Sequence, residues 1–179
     1  DSNSPKLVAL TFDPHPTAIL APEKEPPRLT TLEDRVQLLQ AAGADAVAVI
    51  KFDREFANLT PAEFIENILV DKLSASEVVV GENFTFGNKA AGTSKDLAAV
   101  LPTHVVSLVE SGGEVISSTR IRNLLIAGDV NQVEILLGRR FTLSGEVIHG
   151  EARGRTIGYP TANLKAAPKI CIPADGVYA

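Results

Sequence analysis

The fold of this chain is decided by the stretch VVVGENFTFG at residues 78–87. Its three consecutive β-branched residues predict a strand buried on both faces, as in a parallel sheet, and Gly81 ends that strand. Ligands of open α/β sheets bind beyond the carboxyl ends of the strands. The loop would therefore bring the Asn83 amide and the Phe84 and Phe86 rings to such a site. The alternative is that both phenylalanines are core residues on a strand that continues past Gly81.

Strand and helix patterns alternate on both sides of this stretch. Capping boxes predict helix starts at Thr30 with Glu33, and at Thr60 with Glu63. The helix after Thr60 has a predicted buried face of Phe64, Ile65, Ile68 and Leu69. Further strands are predicted at residues 6–12, 46–52 and 104–109, and a short helix at residues 94–101. This order predicts an α/β fold with a parallel sheet and right-handed crossovers.

Composition excludes several classes of protein. The chain has 179 residues and a net charge of −5, so it offers no broad basic face to nucleic acid. No apolar run approaches the roughly 18 residues that cross a bilayer, and no signal peptide is recognisable. The single Cys171 cannot form an internal disulfide, and we expect it to be a small buried or half-buried residue. We therefore expect a cytoplasmic protein without nucleic-acid or membrane partners, and a homo-oligomer stays among the options.

A candidate anion site is the stretch ISSTRIR at residues 116–122. Hydroxyls and backbone amides at a helix start, together with arginine, favour phosphate. The alternative is that the hydroxyls are ordinary helix caps. Arg120 is either a second phosphate ligand or a surface charge, and we favour the surface. This helix should end at Gly128, and a second one should span residues 130–137 before Gly138.

A second candidate feature is the turn Asp13-Pro14-His15-Pro16 after the first predicted strand. The two prolines stop the strand and leave a carboxylate and an imidazole at the rim of the sheet. A functional role for Asp13 and His15 and a plain proline turn with solvated side chains are equally compatible with this pattern.

The pattern changes near Arg139, where we place a domain boundary between residues 1–138 and 139–179. Residues 141–148 (FTLSGEVI) alternate like an antiparallel strand, and residues 150–158 are rich in glycine and arginine. Val177 and Tyr178 read as the start of another strand. The second segment is all-β as far as it goes, with too few residues for a closed barrel.

Four stretches occur in an order typical of one family: TFDPHP (residues 11–16), VVVGENFTFG, ISSTRIR and GRTIGYPTANL (residues 154–164). The chain resembles the bacterial bifunctional riboflavin kinase/FMN adenylyltransferases, also called prokaryotic FAD synthetases. The resemblance implies that residues 1–138 form a Rossmann-like nucleotidyltransferase domain, which transfers AMP from ATP to FMN. It implies that residues 139–179 begin a small antiparallel β-barrel domain, which phosphorylates riboflavin with Mg²⁺ and ATP.

The resemblance also implies roles for single residues. In the first domain, Asn83 would contact the nucleotide and the reacting phosphates, and Phe64 and Phe86 would line the flavin site. The ATP phosphates and the transition state would be held by Ser118, Thr119 and Arg122, which with Asn83 form the catalytic set.

In the second domain, the resemblance implies a phosphate-binding loop that contains Gly154, Arg155 and Gly158. Thr161 and Asn163 would bind Mg²⁺ and the ATP phosphates, since oxygen ligands suit that hard cation.

The chain departs from the family at both ends. The family's early strand and its Gly-x-Phe-Asp-Gly-x-His-x-Gly-His motif are not recognisable, and the spacing of His15 does not replace them. The acidic kinase base would lie beyond Ala179. We therefore expect a fragment, or a sequence without its ends. Two alternatives stay open: a non-catalytic flavin- or nucleotide-binding fragment, and another small-molecule nucleotidyltransferase, against which the box at residues 159–163 argues.

Overall fold

The computed structural model describes residues 6–149 and 162–178. Its larger strands are β1 (Val8–Asp13), β2 (Ala46–Lys51), β3 (Val78–Gly81), β6 (Thr103–Val106), β9 (Gly145–Ile148) and β10 (Asn163–Ala166). Two-residue strands are β4 (Thr85–Phe86), β5 (Gly92–Thr93), β7 (Glu110–Ser111) and β8 (Glu114–Val115). The helices are α1 (Pro16–Leu20), α2 (Leu32–Ala41), α3 (Arg54–Ala57), α4 (Pro61–Glu63), α5 (Ser94–Ala98), α6 (Ser118–Ala127) and α7 (Val130–Leu137). Helix α4 continues as a π-helix at Phe64–Lys72, and 3₁₀ turns occur at Pro22–Lys24 and Asn88–Ala90.

The chain divides into two compact units. The first unit consists of Asp1–Ala9, Pro26–Ala48 and Ser117–Ala179. The second unit consists of Leu10–Glu25 and Val49–Ile116. The second unit therefore contains the decisive stretch at residues 78–87, and the first unit contains both helices after residue 117.

Two parallel strand pairs give the chain a mixed α/β fold, as predicted. Strand β3 pairs with β6 in parallel, with Val78 opposite Thr103 and Gly81 opposite Val106. Helix α5 lies in the connection between them. Strand β1 pairs with β2. A hydrogen bond from Asp45 N to Leu7 O (2.9 Å) links the beginnings of the two strands. Another from Phe52 N to Asp13 O (3.0 Å) links their ends, so this pair is also parallel.

The prediction that residues 78–80 are buried on both faces is wrong. Val78 and Val80 pack against the hydrophobic core of the second unit, but Val79 is 59% exposed. Successive side chains of a strand point to opposite faces. The core therefore covers one face of β3, and Val79 lies on the other.

The core of the second unit is built on the helix that follows Thr60. The predicted capping box is present, and Phe64, Ile65, Ile68 and Leu69 are buried as predicted. They form one cluster with Phe86 and Leu97. The predicted cap of the earlier helix is wrong by one residue. Helix α2 is capped by Thr31, whose Oγ1 accepts a hydrogen bond from Asp34 N at 3.1 Å.

Two helices organise the first unit. Helices α6 and α7 end at Gly128 and Gly138, as predicted, and both glycines have a left-handed backbone conformation (φ +80° and +64°). Among the described residues of this unit, the buried hydrophobic ones are Ile121, Leu125, Val133, Leu136 and Cys171. The expected burial of Cys171 is therefore confirmed.

The antiparallel pairs among the described residues do not close into a barrel, so the barrel prediction is not confirmed. They are β4–β5, β7–β8 and β9–β10. In the last pair, Asn163 lies opposite Ile148. The prediction of a strand at Val177 and Tyr178 is wrong, since neither residue belongs to a strand. Instead, the Tyr178 hydroxyl donates to the Ala174 carbonyl.

The capping box at Thr60 predicts how stability depends on pH. The Glu63 carboxylate accepts hydrogen bonds from Thr60 N and Oγ1, both at 2.8 Å. The backbone bond first, and then the side-chain bond, lowers the pKa of Glu63. A lowered pKa in the folded state stabilises the protein above the unfolded-state pKa of about 4.3, and this stabilisation is lost as the pH falls through the lowered value.

We therefore expect Glu63→Gln to flatten the decline in stability on acidification. Urea unfolding between pH 7 and pH 3 measures it, with the free energy of unfolding of the variant falling less than that of the wild type. Glu66→Gln is the matched control, because Glu66 is exposed on the continuation of the same helix. Identical declines for wild type and Glu63→Gln would contradict the assignment.

Candidate functional site

The loop after β3 presents Asn83 at the carboxyl end of a parallel strand. Phe84 N donates to Gly81 O at 2.9 Å and closes a tight turn. The backbone of Glu82 donates to Val106 O at 2.9 Å, which anchors the turn to β6. Asn83 itself is exposed. Its amide therefore sits on a fixed turn where an α/β sheet binds ligands.

The structure brings the two predicted flavin-lining rings, Phe64 and Phe86, together. Their centroids are 5.1 Å apart, and the rings are only 4% and 7% exposed. Phe84 is half-buried and stacks on Phe86, with a centroid distance of 5.6 Å and an interplanar angle of 18°. Phe86 thus belongs to the core, as the alternative interpretation held, but it lies on the separate strand β4 and not on a continuation of β3, which ends at Gly81. Phe84 is the more exposed of the two loop rings, and a flavin role for Phe64 and Phe86 stays a prediction.

A continuous chain of aromatic contacts runs back from this loop. Phe56 lies 6.1 Å from Phe64 and 5.5 Å from Phe52, measured between ring centroids. Phe12, at the end of β1, lies within 5.6 Å of both Phe56 and Phe52. Edge-to-face and tilted contacts of this kind are favourable. They join the carboxyl ends of β1 and β2 to the loop after β3.

The far end of the loop is fixed on the start of helix α4. Gly87 has φ +73°, and a Cβ there would lie 2.9 Å from Pro61 N. Asn88 N donates to Leu59 O at 2.7 Å. Only glycine combines this backbone conformation with so close an approach. The loop is thus docked on the helix that carries Phe64.

His15 has a structural role in the turn that follows β1. Its Nδ1 accepts a hydrogen bond from Thr17 N at 3.2 Å and caps the short helix α1. Asp13 belongs to the end of β1, where its carbonyl accepts from Phe52 N. The His15 side chain is therefore a half-buried helix cap and not a solvated one, and a further functional role for Asp13 and His15 stays a prediction.

The three hydroxyl side chains at the start of α6, in the first unit, differ in their roles. Ser117 is the cap, and its Oγ accepts from Arg120 N at 3.2 Å. Ser118 and Thr119 lie exposed on the first turn. The capping alternative is thus correct for Ser117, while Ser118 and Thr119 face solvent beside the helix amides. Arg120 is half-buried, which is less exposed than the surface position we favoured.

Arg122 is held by a contact that sequence reasoning missed. Its Nε donates to Pro27 O at 2.6 Å, across 95 positions of the chain, so no local pattern could indicate it. The neighbouring Arg28 exchanges backbone bonds with Lys169 O (2.7 Å) and Cys171 N (2.8 Å). Burial raises the pKa of the Cys171 thiol, and the nearby Arg122 charge partly offsets this. Arg122 is thus positioned on a network of backbone contacts.

The structure describes only one of the residues predicted to act in the kinase reaction. Asn163 is exposed at the start of β10. Gly154, Arg155, Gly158 and Thr161 lie outside the described residues. Across residues 6–149 and 162–178, no group of three or more His, Cys, Asp and Glu side chains could hold a metal ion. An exposed amide oxygen at Asn163 is nevertheless a hard ligand of the type that Mg²⁺ accepts.

Within the part of the chain that the structure covers, no helix has the length and apolar character needed to cross a membrane.

Comparisons with known proteins agree with the sequence motifs. Residues 1–120 match a family model described as FAD synthetase, and residues 137–179 match one described as riboflavin kinase. The bifunctional riboflavin kinase/FMN adenylyltransferases of Listeria monocytogenes and Bacillus subtilis are both 39% identical, over 97% of this chain and 57% and 56% of their own. The Escherichia coli protein of that name is 38% identical, over 99% of this chain and 58% of its own.

A solved structure shares the fold. It is titled as a macrolide-efflux protein from Streptococcus pneumoniae, and it superposes with a TM-score of 0.83 at 35% identity. The match covers 97% of this chain and 58% of that chain. The chain thus spans little more than half the length of the curated relatives that it matches.

Proposed function

The chain belongs to the FAD synthetase family, and from this premise we propose that it serves FAD biosynthesis as part of a bifunctional transferase. Its family resemblance, inferred from four sequence motifs, is confirmed. One proposed reaction phosphorylates riboflavin to FMN with ATP. The other transfers AMP from ATP to FMN, which gives FAD and pyrophosphate.

We assign the two reactions to two modules, at residues 1–138 and 139–179. The matches to the two family models at residues 1–120 and 137–179 support this division. The parallel pairs β1–β2 and β3–β6 support a Rossmann-like nucleotidyltransferase for the first module. The antiparallel pair β9–β10 is compatible with the beginning of a small β-barrel in the second.

The observation that carries the adenylyltransferase proposal is the exposed Asn83 on its anchored turn beyond β3, beside the stacked pair Phe84 and Phe86. Aromatic rings suit the flat isoalloxazine system, and the Asn83 amide can donate to phosphate oxygens. In the reaction, an FMN phosphate oxygen attacks the α-phosphorus of ATP, and the bond to pyrophosphate breaks. Positioning and charge stabilisation are most of what this chemistry requires of the protein.

Ser118, Thr119 and Arg122 would hold the ATP phosphates during this step. The two hydroxyls are exposed on the first turn of a ten-residue helix, where free amides and the helix dipole favour anions. Arg122 is fixed through Nε, and its remaining guanidinium N–H groups have the geometry for phosphate oxygens. Together these donors would stabilise the charge that develops on the transferred phosphate.

For the kinase module we propose that Gly154, Arg155 and Gly158 form a phosphate-binding loop. Thr161 and Asn163 would supply oxygen ligands to Mg²⁺, which neutralises phosphate charge when it is bound. The GYPTANL motif and the family match at residues 137–179 support this assignment. The buried, unpaired Cys171 fits the cytoplasmic location that we propose.

Binding and turnover by the full gene product test the proposal. We expect saturable binding of FMN and of ATP by calorimetry, and FAD in the chromatogram only when FMN, ATP and Mg²⁺ are all present. Binding of FMN without FAD formation would favour a non-catalytic flavin-binding protein. Failure to bind either FMN or ATP would overturn the proposal.

A further inference from the structure

Gly92 lies directly against the ring of Phe86. The two residues are opposite each other in the antiparallel pair β4–β5. A Cβ on Gly92 would approach the Cε2 and Cζ atoms of Phe86 to 2.8 Å and Cδ2 to 3.0 Å. Side chains of opposite residues are the closest cross-strand neighbours of an antiparallel pair. The Phe86 ring therefore occupies the space that a side chain at position 92 would need.

The requirement for glycine at this position is one of space. Gly92 is buried, and its φ lies outside the left-handed region, so other residues could adopt its backbone conformation. This contrasts with Gly87, where the conformation itself favours glycine. The relevant property of Gly92 is thus the absence of Cβ beneath an aromatic ring.

Neither partner of this contact can easily retreat. Phe86 is 7% exposed and contacts Phe64 on the helix and Phe84 in the loop. On the other strand, Thr93 N and Oγ1 both bond to Asp96 Oδ2, at 2.7 and 2.8 Å, and this capping box fixes the residue next to Gly92. An added methyl group would therefore tilt or displace the Phe86 ring, because close-packed cores transmit such strain.

We propose that Gly92 is a positioning residue for flavin binding, because it lets Phe86 rest on the β5 backbone and so sets the place of Phe84, which stacks on it. This inference rests on the proposed function. It extends that function by naming the residue that sets the position of the stacked rings Phe84 and Phe86, which we call the aromatic wall. A side chain at position 92 would shift the wall but leave the phosphate-binding donors of α6 unchanged.

Calorimetric titration of Gly92→Ala with FMN and with ATP tests the proposal. We expect FMN binding to weaken about tenfold, as for the loss of one aromatic contact, with ATP affinity unchanged. Gly176→Ala is the matched control. That glycine also faces an aromatic ring, with a Cβ–Tyr178 Cζ distance of 3.2 Å, but it lies outside the proposed site. The control should bind FMN as the wild type does.

A double variant separates positioning from loss of structure. Phe86→Leu removes the Cε2 and Cζ atoms, so adding Gly92→Ala to it should not weaken FMN binding further. If Gly92→Ala alone does not fold, the double variant decides, and the proposal requires that it folds and binds FMN as Phe86→Leu does. An additive loss in the double variant would overturn the inference.

The remaining outcomes distinguish this inference from the function on which it rests. Wild-type FMN affinity in Gly92→Ala would overturn the positioning role and leave the proposed function standing. A parallel loss of FMN and ATP binding, matched by the unfolded fraction in circular dichroism, would reduce Gly92 to a structural residue and overturn the inference. If the wild type itself does not bind FMN, the proposed function fails and the inference fails with it.

Discussion

Leu97→Ala is expected to lower the free energy of unfolding by about 3 kcal/mol. Leu97 is fully buried (0% exposed) on α5, in one cluster with Phe64, Phe86 and Leu69. Truncation removes apolar contacts and leaves a cavity, because the large neighbouring rings can relax only partly. Urea unfolding followed by circular dichroism measures the change at pH 7.

The matched control is Leu20→Ala, the same substitution at a residue that is 65% exposed at the end of α1. There we expect a change within about 0.5 kcal/mol. Equal losses for the two variants would contradict the assignment of Leu97 to the core. A much smaller loss at Leu97 would mean that the cluster collapses around the truncated side chain.

Local signals predicted those parts of the fold that depend on local chemistry. Thr60 and Glu63 stand three residues apart, and their reciprocal hydrogen bonds need nothing beyond one helix turn. Gly128 and Gly138 end their helices for the same kind of reason, since each supplies a left-handed residue. The alternation of strands and helices was sufficient to predict parallel pairing.

Features that depend on distant contacts were not predictable. The pattern at residues 78–80 does not reveal that only one face of β3 meets the core, so the exposure of Val79 was missed. Thr31 and not Thr30 caps α2, and residue type could not decide between these two adjacent threonines. The Arg122–Pro27 contact has no sequence signal, because 95 positions separate the two residues. Gly92 and Phe86 are close in sequence, but their close approach depends on the β4–β5 pairing, and neither of these two-residue strands was predicted.

In the candidate site too, the sequence predicted the residue types, and only the structure shows which of them are exposed. The sequence singled out an amide, two loop rings and a hydroxyl-rich helix start, and the structure exposes Asn83, Ser118 and Thr119. Composition left open whether Phe84 and Phe86 belong to the core or to a ligand site, and their burial answers this. Phe86 lies in the core, and its partially exposed neighbour Phe84 stacks on it. The core and the candidate site are therefore in direct contact, so a change in the packing around Phe86 should alter ligand binding.

Asn83→Ala is expected to reduce adenylyl transfer from ATP to FMN by about 10²–10³-fold, as for the loss of one preorganised donor to a developing charge. Asn83 is exposed on a turn held by the backbone of Gly81 and Glu82, so truncation should change stability by no more than about 0.5 kcal/mol. Riboflavin phosphorylation should be unaffected, because the proposal places it in the other module. Chromatography of FAD and FMN formed by the full gene product measures both rates in one preparation.

Asn131→Ala provides the control, since Asn131 is an exposed asparagine on α7 outside the proposed site. It should leave both rates at the wild-type level. An equal loss of both activities in Asn83→Ala would contradict the two-module assignment, because only the first module is proposed to use this amide. Wild-type adenylyl transfer in Asn83→Ala would remove Asn83 from the catalytic set, and the phosphate donors Ser118, Thr119 and Arg122 would then have to account for transition-state stabilisation.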